Sequence, residues 1–227
     1  MANRSYLYGL SNRPTSYQDR PETITGLSEW PYAVPFSYRV LMSGDPQVCS
    51  SLISDGFEDE PPERRTRLHA ISGEFDAGYA RLTKLFAVAR AVSAGSTGLC
   101  AQLDETERFL TKHRDRFLLL ETIELDTMTE SSEDGLRASV EREIDLCRRA
   151  GAAVDALPVE VVEAGALLTT VTGQESGTPF DAFYGLVLDD DFDNTRDGRT
   201  NHPLGVSWWT DVLYFDLWNR AEFEANA

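Results

Sequence analysis

WWTDVLYFDLW, residues Trp208 to Trp218, holds three of the four tryptophans in the chain, with Val212, Leu213, Tyr214, Phe215 and Leu217 between them. So much apolar and aromatic surface is either buried in a core or spent on a partner. Read at helical spacing, Val212, Phe215 and Trp218 share one face and Leu213 and Leu217 lie on a neighbouring one. A helix starting near Thr210 would therefore be apolar around most of its circumference, which predicts a buried helix that closes the core. The competing reading takes the same aromatics, with Asp211 and Asp216 at the rim, as a hot spot for an arginine- or lysine-rich partner.

Working outward, the loop that leads into this stretch carries Asp189, Asp190, Asp191, Asp193 and Asp197. Its acidity fits the chain as a whole: 38 Asp and Glu against 21 Lys and Arg give a net charge of -17 over 227 residues. Residues 1 to 54 hold four acids and four bases, whereas residues 178 to 227 hold ten acids and three bases. A field of that sign repels phosphate backbones and anionic lipid, so neither nucleic acid nor a membrane surface is an expected partner, and a basic protein is. Solubility alone is the plainer use of such a charge. Cys49, Cys100 and Cys147 are odd in number and widely spaced, which argues against a disulfide framework and against a paired CxxC zinc site. The N-terminus lacks the apolar core of a secretory signal and no apolar run is long enough to span a bilayer, so the expected compartment is the cytoplasm.

Along the chain, Ser5 to Leu10 (SYLYGL) predicts a first strand, and the alternation of Phe36, Tyr38, Val40 and Met42 predicts a second. Asp45-Pro46 has the form of a helix start, with Val48, Cys49, Leu52 and Ile53 as its apolar face and a stop by Gly56. Acids between Asp55 and Glu63 followed by Arg64, Arg65 and Arg67 suggest an internal ion-pair patch. Glu74 to Val92 has the clearest helical period, and a second helix runs through Leu103 and Leu110. Phe117 to Leu125 predicts a strand. Ser131 and Ser132 ahead of Glu133 and Asp134 mark a capped helix ending near Gly151. A short helix over Pro158 to Glu163, an extended Ala166 to Val171 and a buried strand over Phe183 to Leu188 complete the pass. No repeat and no linker divides the chain, so residues 1 to 227 are expected to form one α+β domain with helices packed on a mixed or antiparallel sheet.

Motifs of chemistry are sparse. Clustered carboxylates suit calcium or magnesium, and Asp193, Thr195, Asp197 and Gly198 match part of an EF-hand loop, but the twelfth position falls on Leu204 instead of the bidentate glutamate. His69, His113 and His202 form no HExxH pattern, and no nucleophile elbow, dinucleotide fingerprint or P-loop occurs. Neither a catalytic residue, a metal ligand nor a cofactor is assigned on this basis. The aspartates at 189, 190, 191, 193, 197, 211 and 216 are instead assigned to partner binding.

NRSYLY (Asn3 to Tyr8) and DVLYFDLWNR (Asp211 to Arg220) resemble the two ends of a family of uncharacterised bacterial proteins. The resemblance implies a bacterial cytoplasmic protein and carries over no catalytic residue. The expected function is an acidic protein-binding module, most concretely an immunity- or antitoxin-type inhibitor that neutralises a basic effector. The alternative is a metal-assisted hydrolase centred on the loop from Asp189 to His202.

Overall fold

The computed structural model describes residues 3–57, 60–61, 64–93, 95–177, 179–194 and 202–226. Five strands, β1 (Arg4–Leu10), β2 (Ile24–Pro31), β3 (Gln47–Ser50), β4 (His69–Glu74) and β5 (Phe117–Glu121), form one sheet in the order β2-β1-β5-β4-β3. Every pairing is antiparallel. With the helices described below, the fold is α+β.

The middle strand β5 reads Phe-Leu-Leu-Leu-Glu, and residues 118 to 121 are all buried. A strand covered on both faces has to be apolar continuously, without the alternation of a half-wet one. Leu118 and Leu120 join Leu7 and Ile71 in a core shared with the helices, while Leu119 turns to the other face with Tyr6, Tyr8, Leu10 and Ala70.

The helical layer consists of α1 (Phe36–Met42), α2 (Phe75–Val92), α3 (Thr97–Lys112), α5 (Glu133–Ala156) and α6 (Val161–Gly173), with a single-turn α4 (Ile123–Asp126) after β5 and α7 (Arg220–Asn226) at the C-terminus. In α2, Leu82, Leu85, Phe86 and Ala89 are buried at the spacing the sequence predicts. In α5, Leu136, Val140, Ile144 and Cys147 are buried, and the Ser132 side chain accepts from the Gly135 amide as the expected N-cap. That helix runs past Gly151. A Cβ there would lie 2.6 Å from the Cβ of Ser43, so the glycine serves the close approach of α1 and not a helix stop.

Five local expectations are corrected. Phe36 to Met42 is a helix, because Ser37 and Leu41 are as buried as Phe36, Tyr38, Val40 and Met42. In an element buried nearly all round, alternation carries no information. Asp45 is not an N-cap: it sits at φ 51°, a left-handed turn that aspartate tolerates, and Gln47 to Ser50 then pairs with β4 as an edge strand. The predicted strand from Phe117 ends at Glu121, and Ile123 to Asp126 turns into α4. Ala166 to Val171 belongs to α6, where Ala164, Gly165, Leu168 and Val171 are buried on one helical face and the Thr169 and Thr170 hydroxyls donate to carbonyls one turn back. Phe180–Phe183 is a 3₁₀ turn, and Gly185 at φ 84° breaks the strand expected over 183 to 188.

Candidate functional site

The largest correction concerns Trp208 to Trp218. The segment is an extended strap, not a helix, and it is not buried as a unit. Leu217 is 8% exposed, with Leu213 and Phe215 partly buried, whereas Val212 is 79%, Tyr214 53% and Trp218 46% exposed, and Asp216 is exposed between them. Inward and outward positions alternate with period two, as extended chain requires. Valine, tyrosine, phenylalanine, tryptophan and aspartate are all poor helix formers, and most of them favour extended backbone. Here that preference prevails over the apolar face that a helical projection draws.

The strap is tied to the sheet through its backbone. Ser28 of β2 forms a bridge with Trp209, the Thr210 amide donates to the Leu27 carbonyl at 3.0 Å and the Ser28 hydroxyl donates to the Trp208 carbonyl at 2.9 Å. Further along, the Tyr214 amide donates to Glu29 at 2.7 Å, the Tyr8 hydroxyl donates to the Phe215 carbonyl at 2.9 Å, and the Arg220 amide donates to the Pro21 carbonyl. Where the strap crosses β2, a Cβ on Gly26 would lie 2.8 Å from the Asp211 carbonyl oxygen and 2.9 Å from Leu213 Cγ. Only a residue without a side chain lets the two chains lie so close. Inward, Phe215 meets Tyr6 edge to face at 5.3 Å between ring centroids.

Outward, the Trp208 ring, 59% exposed, stacks on the buried Trp30 ring at 5.1 Å. Trp208 and the exposed Tyr32 both hold positive φ, at 67° and 61°. Bulky residues rarely adopt that conformation and do so at a cost of order 1–3 kcal/mol, so both side chains are presented at the expense of local strain. Tyr214 lies over the Arg4 guanidinium, which also pairs with Glu29. Asp211 and Asp216 are exposed on the same strap.

The aspartate loop divides into different roles. Asp193 is largely buried and accepts from the amides of Gly205, Val206 and Ser207 at 2.6, 3.0 and 2.9 Å. Burial pushes its carboxyl upward and these three donors pull it back. The segment it holds is the root of the strap: the Pro203 and Leu204 carbonyls accept from the first amides of α1, and the Gly205 and Val206 carbonyls accept from the Ser37 and Thr106 hydroxyls. Asp190 accepts from the Leu99 amide at 3.1 Å, in the first turn of α3, where the adjacent Ser96 makes no side-chain cap. Asp189 accepts from the Asp191 amide in a local turn. Asp189, Asp190 and Asp191 remain exposed, and Asp197 lies outside the described residues. Among the described residues, no three His, Cys, Asp or Glu side chains converge in the manner of metal ligands.

A family model described as a domain of unknown function, DUF7822, matches residues 11–169. The chain belongs to this family. No curated protein and no solved structure matches the chain. The matched span contains β2 to β5 and α1 to α5, whereas Asn3 to Tyr8 and Asp211 to Arg220, whose resemblance to family ends was noted above, lie outside it. Among the described residues, no helix is long and apolar enough to cross a membrane.

Asp193 was legible as an acid but not as the anchor of the strap, because its partners are backbone amides 12 to 14 residues away. Gly26 and Trp30 carried no signal of their role in the sequence. Their importance depends on a chain segment some 180 residues downstream.

Proposed function

We propose that the protein is an acidic protein-binding module whose docking surface is the C-terminal strap, and that it acts in the cytoplasm of a bacterium as an immunity- or antitoxin-type inhibitor of a basic effector. The observation that carries this reading is the outward row Val212, Tyr214, Asp216 and Trp218, a set of large side chains left in solvent and interleaved with carboxylate. Aromatic anchors fringed by like charge are the composition of a hot spot, and the chain's net charge of -17 selects a cationic partner and speeds the encounter. Strain at Trp208 and the backbone ties along β2 support it further, since a pre-ordered surface loses little entropy on docking.

The reading is tested by titrating the protein with the product of the neighbouring gene at rising salt. Expected is binding that weakens as salt rises, and that weakens by roughly tenfold or more in Trp218→Ala at fixed salt, while Asp211→Asn with Asp216→Asn slows association. Absence of binding, or binding indifferent to both salt and Trp218, overturns it.

A further inference from the structure

Opposite the strap, at the β3 edge of the sheet, lies a groove of about 830 Å³ between the loop after β1, β3, the start of β4 and α5. Its charge is out of character with the rest of the chain. Arg13, Arg65, Arg67 and Arg137 line it together with His69, and Asp55 is the one carboxylate among its described lining residues. The acids that balance the others stand on the outside. Asp45, which accepts from Arg13, is 53% exposed against 21% for the arginine, and Glu141 holds Arg137 from the next turn of α5 as a half-exposed surface pair. Such pairs contribute little and are easily exchanged for a better anion. The Arg67 side chain has no carboxylate partner among the described residues, its amide alone donating to Glu133.

Two donors on the residues that line the groove are poorly matched. The Ser72 hydroxyl is fully buried with the Cys49 thiol, a weak acceptor, as its polar neighbour, and Arg13 Nε is buried without a hydrogen-bond partner. Buried polar atoms are rarely left poorly matched in a finished protein, so their presence on residues that line one basic groove points to an acceptor supplied from outside. His69 senses the same field: burial first, and then Arg137 and Arg67, push its ring toward the neutral form against the opposing pull of Glu133 and Glu141. Burial, with Glu121 next in effect, pushes the Cys49 thiol at the groove upward, so it sits there as a neutral group and not as a nucleophile.

We propose that this groove is a binding site for a small organic anion of the phosphomonoester class, with Arg67 and Arg137 as its principal cations and the Ser72 hydroxyl and Arg13 Nε as its inner donors. Guanidinium forks match the paired oxygens of a phosphoryl group, and the neutral Ser72 hydroxyl and the cationic Arg13 Nε–H add further donors. The volume is in the range of sites for small organic molecules and exceeds what a bare ion needs. Tyr17, Val48 and Leu68 give the organic part an apolar wall.

Isothermal titration of the full chain with phenyl phosphate, and separately with citrate, at constant ionic strength tests this. Expected is saturable binding of phenyl phosphate, weaker by roughly tenfold or more in the Arg67→Ala, Arg137→Ala double variant and measurably weaker in Ser72→Ala, with the melting temperature of the exposed arginine variants unchanged. Three results overturn it: no saturable binding of phenyl phosphate, binding that the double variant leaves intact, or citrate bound more tightly than phenyl phosphate, which would assign the groove to polycarboxylates. The double variant leaves the strap untouched, so failure here is distinct from failure of protein binding.

Discussion

The two edges of the sheet are finished in opposite ways. At the β2 edge the chain's own C-terminus closes the structure: the strap bridges Ser28, folds Leu213, Phe215 and Leu217 over Tyr6 and Tyr8, and turns aromatics and carboxylates outward. At the β3 edge the described residues supply no such cover, and Arg13, Arg65, Arg67 and Arg137 line an open groove. Backbone bonds and apolar packing stabilise the first, whereas the second is held by exposed ion pairs that fold stability hardly needs. A protein of net charge -17 thus presents an acidic aromatic surface at one edge and a basic recess at the other. The difference teaches that net charge describes the average field and not the ligand of a particular site.

The contrast is broken most severely at the root of the strap. Asp193→Ala leaves the Gly205, Val206 and Ser207 amides without their acceptor, and orphaned buried donors cost about 1–3 kcal/mol each before water relieves them. Urea unfolding should show a loss of about 4 kcal/mol; a loss below about 1 kcal/mol would mean that the root is held by its other contacts.

Between the two edges stands Glu121, wholly buried, accepting from Ser51 and the Leu52 amide and facing Arg20. Burial raises its carboxyl from 4.5 to about 7, against the pull of those donors and of Arg20. Because the folded value is the higher one, its contribution to stability is complete below about pH 4.5 and is lost as pH rises through about 7. Glu121→Gln, which keeps a neutral side chain at every pH, should match the parent at about pH 4 and exceed it at about pH 8 by about 3 kcal/mol. Equal stability of the two proteins at both pH values would contradict the assignment.

Gly26→Val sharpens the comparison at the crossing point. The new side chain meets Asp211 and Leu213, so the strap must shift, at a cost of about 2 kcal/mol, and the tryptophan emission should move with it. The groove should be indifferent. Smallest is Arg137→Ala, which removes a half-exposed pair with Glu141 and should change unfolding free energy by less than about 0.5 kcal/mol. A large destabilisation there would make the groove's arginines structural.

What the sequence disclosed follows from how far each signal reaches. The helices α2, α3 and α5 and the strands β1 and β5 were legible because Leu82, Leu103, Ile144, Tyr6 and Leu119 repeat within their own elements. The helix α1 was misread because nearly its whole circumference is buried, and β3 because its four residues are strand only by pairing with His69 to Ser72. For the strap, the residue types that a helical projection collects into an apolar face are those whose backbone preference is extended. Of the candidate site, Asp211 and Asp216 stand where the sequence placed them, exposed at its rim. The outward aromatics did not, and neither the Trp30 stack nor the Gly26 crossing has a local signature. Nor was the groove legible, since Arg13, Arg67 and Arg137 meet only through the fold.

The central claim is that residues 212 to 218 form an extended strap with one face for the sheet and one for a partner, and a seven-position alanine scan read for both unfolding free energy and partner affinity tests it most directly. The account predicts period two: Leu213, Phe215 and Leu217 lower stability by about 2 kcal/mol or more, while Val212, Tyr214, Asp216 and Trp218 leave it nearly unchanged and lower affinity. Stability losses grouped at Val212, Phe215 and Trp218, the helical spacing, would contradict it.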